Sequence, residues 1–283
     1  MRDTKILGIL FILSSLLNGA ALHAQTTELV MSAPPREGSR MQSKAFYEPM
    51  AKAIGDALGV PVVFKNEPDF FNYGLAMRKG EYDIIFDGPH FGSWRINQID
   101  HEPIVSLPGS LKFVVVTRKD RTDITDKNSL RNKRICGPAV PNLATLTATS
   151  QFRDNMIQHP TFVVAMGGMK GTFKAFKAGR CDAAVLRDKF FLKKVKPEER
   201  TKYRIVFETK PVVNQSITAG PRLTDEQKSR LRDFLTSPAG SKAADKLLAR
   251  FSKNNKVFLP ADPEKFKGLD KLLIEIAWGW DGK

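Results

Sequence analysis

Eight short apolar, β-rich runs separated by helical patterns constrain this chain more than any other feature. They are Leu29-Val30-Met31, Pro61-Val62-Val63-Phe64, Asp83-Ile84-Ile85-Phe86 and Phe113-Val114-Val115-Val116, then Arg134-Ile135-Cys136, Phe162-Val163-Val164-Ala165, Asp182-Ala183-Ala184-Val185-Leu186 and Ile205-Val206-Phe207. Runs this short and this uniformly apolar read as strands buried on both faces, and the helical patterns between them as crossovers, so the class is α/β. Between the first two strands Phe46, Met50, Ile54 and Ala57 recur at spacings of three and four, ahead of Leu58-Gly59, whose glycine is a helix stop. Thr224 with Gln227 three positions on forms a capping box before Leu231, Phe234 and Leu235. A last helical pattern puts Phe266, Leu269, Leu273 and Ile276 on one face and leads to Trp278 and Trp280, all expected to pack. No internal repeat or flexible linker interrupts the chain, so a second lobe has to form by the chain crossing over and returning.

The first 24 residues place the rest. Arg2 and Lys5 flank the start of an apolar run, Ile6 to Leu17, too short to span a bilayer and followed by small residues up to Ala24. That is the pattern of a secretory signal peptide. The expected cut follows Ala24, with Ala21 as the alternative because Leu22 stands where a small residue is usual. No cysteine follows the apolar run to carry a lipid anchor, and no later segment approaches the roughly 20 apolar residues of a membrane span. A soluble, monomeric periplasmic protein is expected. Only Cys136 and Cys181 are available for a disulfide. An oxidising compartment lets them pair if the fold brings them together; otherwise they are two separate buried thiols.

Lys and Arg number 45 against 30 Asp and Glu, a formal net charge of +15. This favours anionic partners. The basic residues are interspersed with acidic ones, as in Thr224-Asp225-Glu226-Gln227-Lys228, and no Lys/Arg block is interleaved with aromatics. A solvated basic surface is therefore expected rather than a nucleic-acid groove. Beyond the leader, His90, His101 and His159 show no metal-ligand spacing, and no nucleophile elbow, phosphate loop or dinucleotide fingerprint is present. The expectation is a protein that is not an enzyme and needs no metal or cofactor.

The most specific stretch runs from Asn72 to Phe91: a helix ending at Gly80, then Glu81-Tyr82-Asp83, a buried strand, and Asp87-Gly88-Pro89-His90-Phe91. A related arrangement returns from Thr172, with Gly179-Arg180-Cys181-Asp182 leading into Ala183-Ala184-Val185. Together these resemble the two lobes of phosphonate-type periplasmic solute-binding proteins of ABC importers. The resemblance implies a type II periplasmic-binding-protein fold, two Rossmann-like lobes joined by a two-segment hinge. Lobe one would comprise residues 25–117 and 212–283, lobe two 118–211, and the hinge would run near Thr117 to Asp120 and Glu208 to Val213. It also implies a small-molecule ligand held between the lobes, hinge closure and delivery to a membrane permease complex.

Ligands of open α/β sheets sit beyond the carboxyl ends of strands. Three loops qualify. Ser32 to Arg40 leads to Tyr47, whose ring is expected at the cleft mouth; Asp87 to Phe91 offers Asp87, His90 and Phe91; Gly137 to Thr145 offers Asn142 and Thr145. The third departs from the family pattern, since Pro141-Asn142-Leu143-Ala144-Thr145 stands where a Ser-Thr-Ser type turn is expected and Met169 stands in place of a histidine. Arg187-Asp188 follows the Asp-Ala-Ala strand, and an inward Arg187 suits a carboxylate through bidentate hydrogen bonds. The expected ligand is an organic acid or a partly apolar compound lying against Met169, Phe91 and Tyr47, with a phosphonate-like ligand as the lesser reading. The alternative function is a sensing or carrier module that hands its ligand to a non-ABC membrane partner.

Overall fold

The computed structural model describes residues 28–36, 39–155, 157–252, 256–277 and 279–281. The expected leader and Trp278 lie outside them. The first half of the chain forms β1 (Leu29–Ser32), α1 (Arg40–Leu58), β2 (Val62–Lys65), α2 (Phe70–Arg78), β3 (Ile84–Asp87), α3 (Pro89–Gln98), β4 (Glu102–Ser106), β5 (Ser110–Leu111) and β6 (Phe113–Arg118). Next come β7 (Arg134–Gly137), α4 (Leu143–Thr149), β8 (Thr161–Val164), α5 (Gly168–Lys177), β9 (Ala183–Arg187), α6 (Asp188–Lys194), α7 (Pro197–Arg200) and β10 (Tyr203–Glu208). The chain ends with β11 (Val212–Val213), β12 (Ser216–Ala219), α8 (Asp225–Thr236), α9 (Pro238–Ala243), α10 (Asp245–Phe251), β13 (Leu259–Pro260) and α11 (Lys271–Ile274).

All eight apolar runs are strands, and they divide between two sheets. One has the order β13-β4-β12-β3-β1-β2, the other β10-β6-β9-β7-β8. Parallel pairing of β1 with β2 and β3, and of β7 with β8 and β9, makes each sheet core a βαβ array, while β12 and β6 run antiparallel beside them. A third, two-stranded ribbon of β5 and β11 carries both crossings between the sheets. One sequence boundary shifts accordingly. Strand β6 pairs with β9 and β10, so residues 113–117 belong to the second sheet, and the first crossing lies at Ser110–Leu111 rather than after Thr117.

The two helix-Gly-x-x-Asp-strand units fold alike. Gly80 and Gly179 adopt φ of 70° and 75°, the left-handed region that favours glycine. Asp83 and Asp182 each pin the start of a neighbouring parallel strand: Asp83 accepts from the Val30 N–H at 2.6 Å and Asp182 from the Arg134 N–H at 2.8 Å. Arg222 and Arg121 neutralise them in turn. These carboxylates therefore stand at the amino ends of β3 and β9 and leave the carboxyl ends free for the site.

Helix α1 is capped by Ser39, whose hydroxyl accepts from the Gln42 N–H, and by Gly59 at φ 74°. Inside it, Pro49 leaves the Ala45 carbonyl without its helical partner, and the Lys246 ammonium donates there at 3.0 Å. The buried stripe is centred on Tyr47, Met50, Ile54 and Leu58; Phe46 and Ala57 are only half-buried on its flanks. The Thr224 capping box is present. The expected C-terminal helix is instead broken, with a 3-10 turn at Pro263–Phe266, Gly268 at φ 75°, and then α11. Phe266 and Leu273 still reach the core.

Candidate functional site

The loops after β3 and β7 meet across the two lobes. His90, at the start of α3, donates from Nε2 to the Pro141 carbonyl at 3.0 Å, so its Nδ1 is left as an acceptor, buried and without a donor among the described residues. Burial pushes the His90 pKa down to about 4, against the hydrogen bond to Pro141 and the charge of Asp87, so the ring is neutral at pH 7. A Cβ at Gly88 would come within 2.7 Å of the His90 ring, which makes a glycine necessary just before α3. Behind this contact, Leu146 of α4 packs into the cluster of Phe91, Trp94, Leu273 and Trp280 on the first lobe.

A cavity of about 530 Å³ opens between the lobes at the carboxyl end of β9. One wall is Arg187 with the Lys189, Phe190, Lys193 and Lys194 side of α6; the other is Pro108, Gly109 and the end of α10, Arg250 to Ser252. Asn214 closes its base by donating from Nδ2 to the Pro108 carbonyl at 2.9 Å, tying the two hinge crossings together. Burial lowers the Arg187 pKa, the nearby Asp188 opposing, and the Arg187 Nε has no acceptor among the described residues. Met169 lies beside it, its sulfur 3.3 Å from the Arg187 N–H. Met169 thus stands beside the Arg187 backbone, and of the two only Arg187 lines the cavity.

Other expected site residues are committed elsewhere. Asp87 is fully buried and held by the two terminal guanidinium nitrogens of Arg95, at 2.7 and 2.8 Å, and by the Tyr73 hydroxyl at 2.7 Å. A carboxylate at the apolar end of β3 needs that counter-charge, so it faces the protein rather than a ligand. Tyr47 is 1% exposed and stacks on Phe64 with centroids 5.0 Å apart, in the core and not at the mouth. Phe91 is buried beneath His90, with ring centroids 4.2 Å apart. Thr145 donates to the Pro138 carbonyl at 2.6 Å, and Asn142 caps α4 by accepting from the Ala144 N–H at 3.0 Å. The α6 lysines and the α10 end escaped notice because Lys189, Lys193 and Lys194 read as solvated helix charge. Their signal was the absence of any Asp or Glu between Lys189 and Lys196.

The sequence matches the family model described as ABC transporter, phosphonate, periplasmic substrate-binding protein, over residues 32–266. The chain belongs to this family. Its fold is shared by a Xanthomonas citri protein solved with ATP bound, with a TM-score of 0.70 at 15% identity, covering 88% of this chain and 97% of that one. It is shared by a Prochlorococcus marinus PhnD1 in complex with methylphosphonate, TM-score 0.64 at 16% identity, covering 88% and 98%. A binding-protein component of a phosphonate ABC transporter from Pseudomonas aeruginosa aligns at TM-score 0.59 and 15% identity, covering 88% and 86%. No curated protein matches. As a substrate-binding protein of an ABC transporter, the chain is a type II periplasmic-binding-protein fold whose work is ligand capture. Among the described residues no helix is long and apolar enough to cross a membrane, and no cluster of His, Cys, Asp or Glu suits a metal.

Proposed function

We propose that the protein is exported by its N-terminal leader, acts as a monomer without catalysing a reaction, and captures a small anionic solute between its lobes for delivery to a membrane permease. Lobe one is then built on the β1-containing sheet and lobe two on the β6-containing sheet, closing about the β5–β11 ribbon and its Asn214 tie. The carrying observation is the cavity at the end of β9, which both lobes line and to whose wall the half-buried Arg187 contributes a cationic group suited to an acid. A simple phosphonate is disfavoured. The hydroxyl and amide that stand in for the family's Ser-Thr-Ser turn are engaged, Thr145 with the Pro138 carbonyl and Asn142 as a helix cap. A carboxylate-bearing ligand meets Arg187 instead, with Met169 alongside.

The test is a thermal-shift screen of the chain from Gln25 onward against phosphonates, phosphate, mono- and polycarboxylates, amino acids and apolar metabolites. A bound ligand at a hundred times its Kd stabilises by about 2.7 kcal/mol, a shift of several degrees. Stabilisation by an acid, lost in Arg187→Gln, supports the assignment. Stabilisation by methylphosphonate that Arg187→Gln leaves unchanged rejects it, and turnover of any bound compound rejects the non-catalytic reading.

A further inference from the structure

We propose that the ligand is a small organic polyanion, carrying two or more phosphate or carboxylate groups, held along the cationic α6 wall of the interlobe cavity. This rests on the cleft-binding reading above and sharpens it. The cavity lining includes Arg187, Lys189, Lys193, Lys194 and Arg250 and, among the described residues, no carboxylate. Among the described residues, Arg187, Lys189, Lys193 and Lys194 take part in no ion pair, although most of the acidic groups elsewhere on this surface do. Lys189 and Lys193 stand four residues apart on one face of α6 and Lys194 follows directly, so three like charges of this helix line the cavity. Like charges at that spacing repel and destabilise a helix. A face that retains this repulsion and turns it toward a cavity is suited to a ligand that neutralises several charges at once.

The opposite wall adds to the same field. The Arg250 guanidinium lies 5.1 Å from the Phe251 ring centroid and that of Arg36 lies 5.8 Å from it. The Lys189 ammonium reaches across to 3.8 Å from the Cβ position at Gly109, so lobe-two charge already overlies lobe one. A volume of about 530 Å³ sits within the usual span of roughly 300–1,000 Å³ for small-molecule sites. It leaves room for several anionic groups together with an apolar portion against Phe190 and Phe251. A single charged group satisfies Arg187 alone and leaves the α6 lysines facing one another.

Titration calorimetry on the chain from Gln25, which keeps every described residue, compares citrate, pyrophosphate and ATP with acetate and methylphosphonate. At least one polyanion is expected to bind ten or more times tighter than either single-headed compound, with citrate against pyrophosphate telling carboxylate from phosphate recognition. Lys193→Gln/Lys194→Gln is expected to weaken it at least tenfold, since even one lost contact to a charged group is worth about a factor of ten. Lys119→Gln/Lys202→Gln removes the same charge at the far end of the second sheet, where Arg118 pairs with Tyr203, and is expected to leave affinity unchanged. Tighter binding of acetate or methylphosphonate overturns the polyanion assignment and keeps the cleft reading. Equal losses in the two double variants overturn it as well, because the attraction is then only the general charge of the protein. Silence from all five compounds, with a neutral metabolite stabilising the fold in the screen above, overturns the anionic reading as a whole.

Discussion

At the residue scale, the site is shaped by which charges are neutralised inside the protein and which are not. Asp87 and Arg95 are both completely buried and hydrogen-bonded to one another, so removing one partner strands the other. Asp87→Ala is expected to cost about 3–5 kcal/mol in urea unfolding, far more than a ligand-contact residue exposed to solvent would. His90 gives a pH signature. Its folded pKa of about 4 lies below the unfolded 6.5, so the unfolded chain takes up the proton first. The stability linked to neutral His90 is complete above pH 6.5 and is lost as pH falls toward 4. The loss is on the order of 3 kcal/mol at full separation. Denaturation curves across this window should flatten in His90→Gln but not vanish, because buried His101 is depressed in the same sense.

At the scale of elements, the repeated helix-Gly-x-x-Asp-strand unit is a framing device. Its aspartates bind backbone N–H groups at the strand starts, which places the functional loops at the other ends. Nothing lies within 4 Å of a Cβ placed on Gly179, so Gly179→Ala carries only the backbone cost of its positive φ, about 1 kcal/mol by thermal unfolding. The Cys136–Cys181 disulfide joins β7 to the residue pair before β9, with Cα atoms 5.6 Å apart and a sequence separation of 45. Replacing both by serine is expected to lower stability by about 3–4 kcal/mol under oxidising conditions and to change nothing once reductant has opened the wild-type bond. The second sheet, not the first, carries that loss.

At the scale of the whole molecule, the lobes are connected by more than the hinge. Leu146 of the second lobe sits in the first lobe's aromatic cluster, and Arg153 pairs with Glu275 of the C-terminal segment. Leu146→Ala is expected to cost about 2–5 kcal/mol as a core truncation and to enlarge the ligand-free molecule in small-angle scattering. Addition of a stabilising ligand should reduce the radius of gyration of both proteins if, as proposed, closure brings α6 toward α10 around the cavity. An unchanged radius on saturation would exclude hinge closure as the capture step.

The residues alone determined the class, the eight central strands, the helix stops and the family, because those follow from local burial patterns and from glycine at positive φ. They also named Arg187, Met169 and His90 together with Tyr47, Asp87, Phe91, Asn142 and Thr145, without telling which of them face the cavity. Five strands escaped: β4 opens on Glu102-Pro103, β12 is half polar, and β5, β11 and β13 have two residues each, too few for a pattern. Only the tertiary structure decided that Asp87 turns inward, because its partner Arg95 is eight residues away on α3 and buried with it. It also decided that Tyr47 joins the core, through contact with Phe64 on a different strand. The cationic cavity is the clearest case, since its walls come from α6 and α10, more than fifty residues apart. Proximity of that kind is set by how two lobes close against each other, which no local spacing encodes.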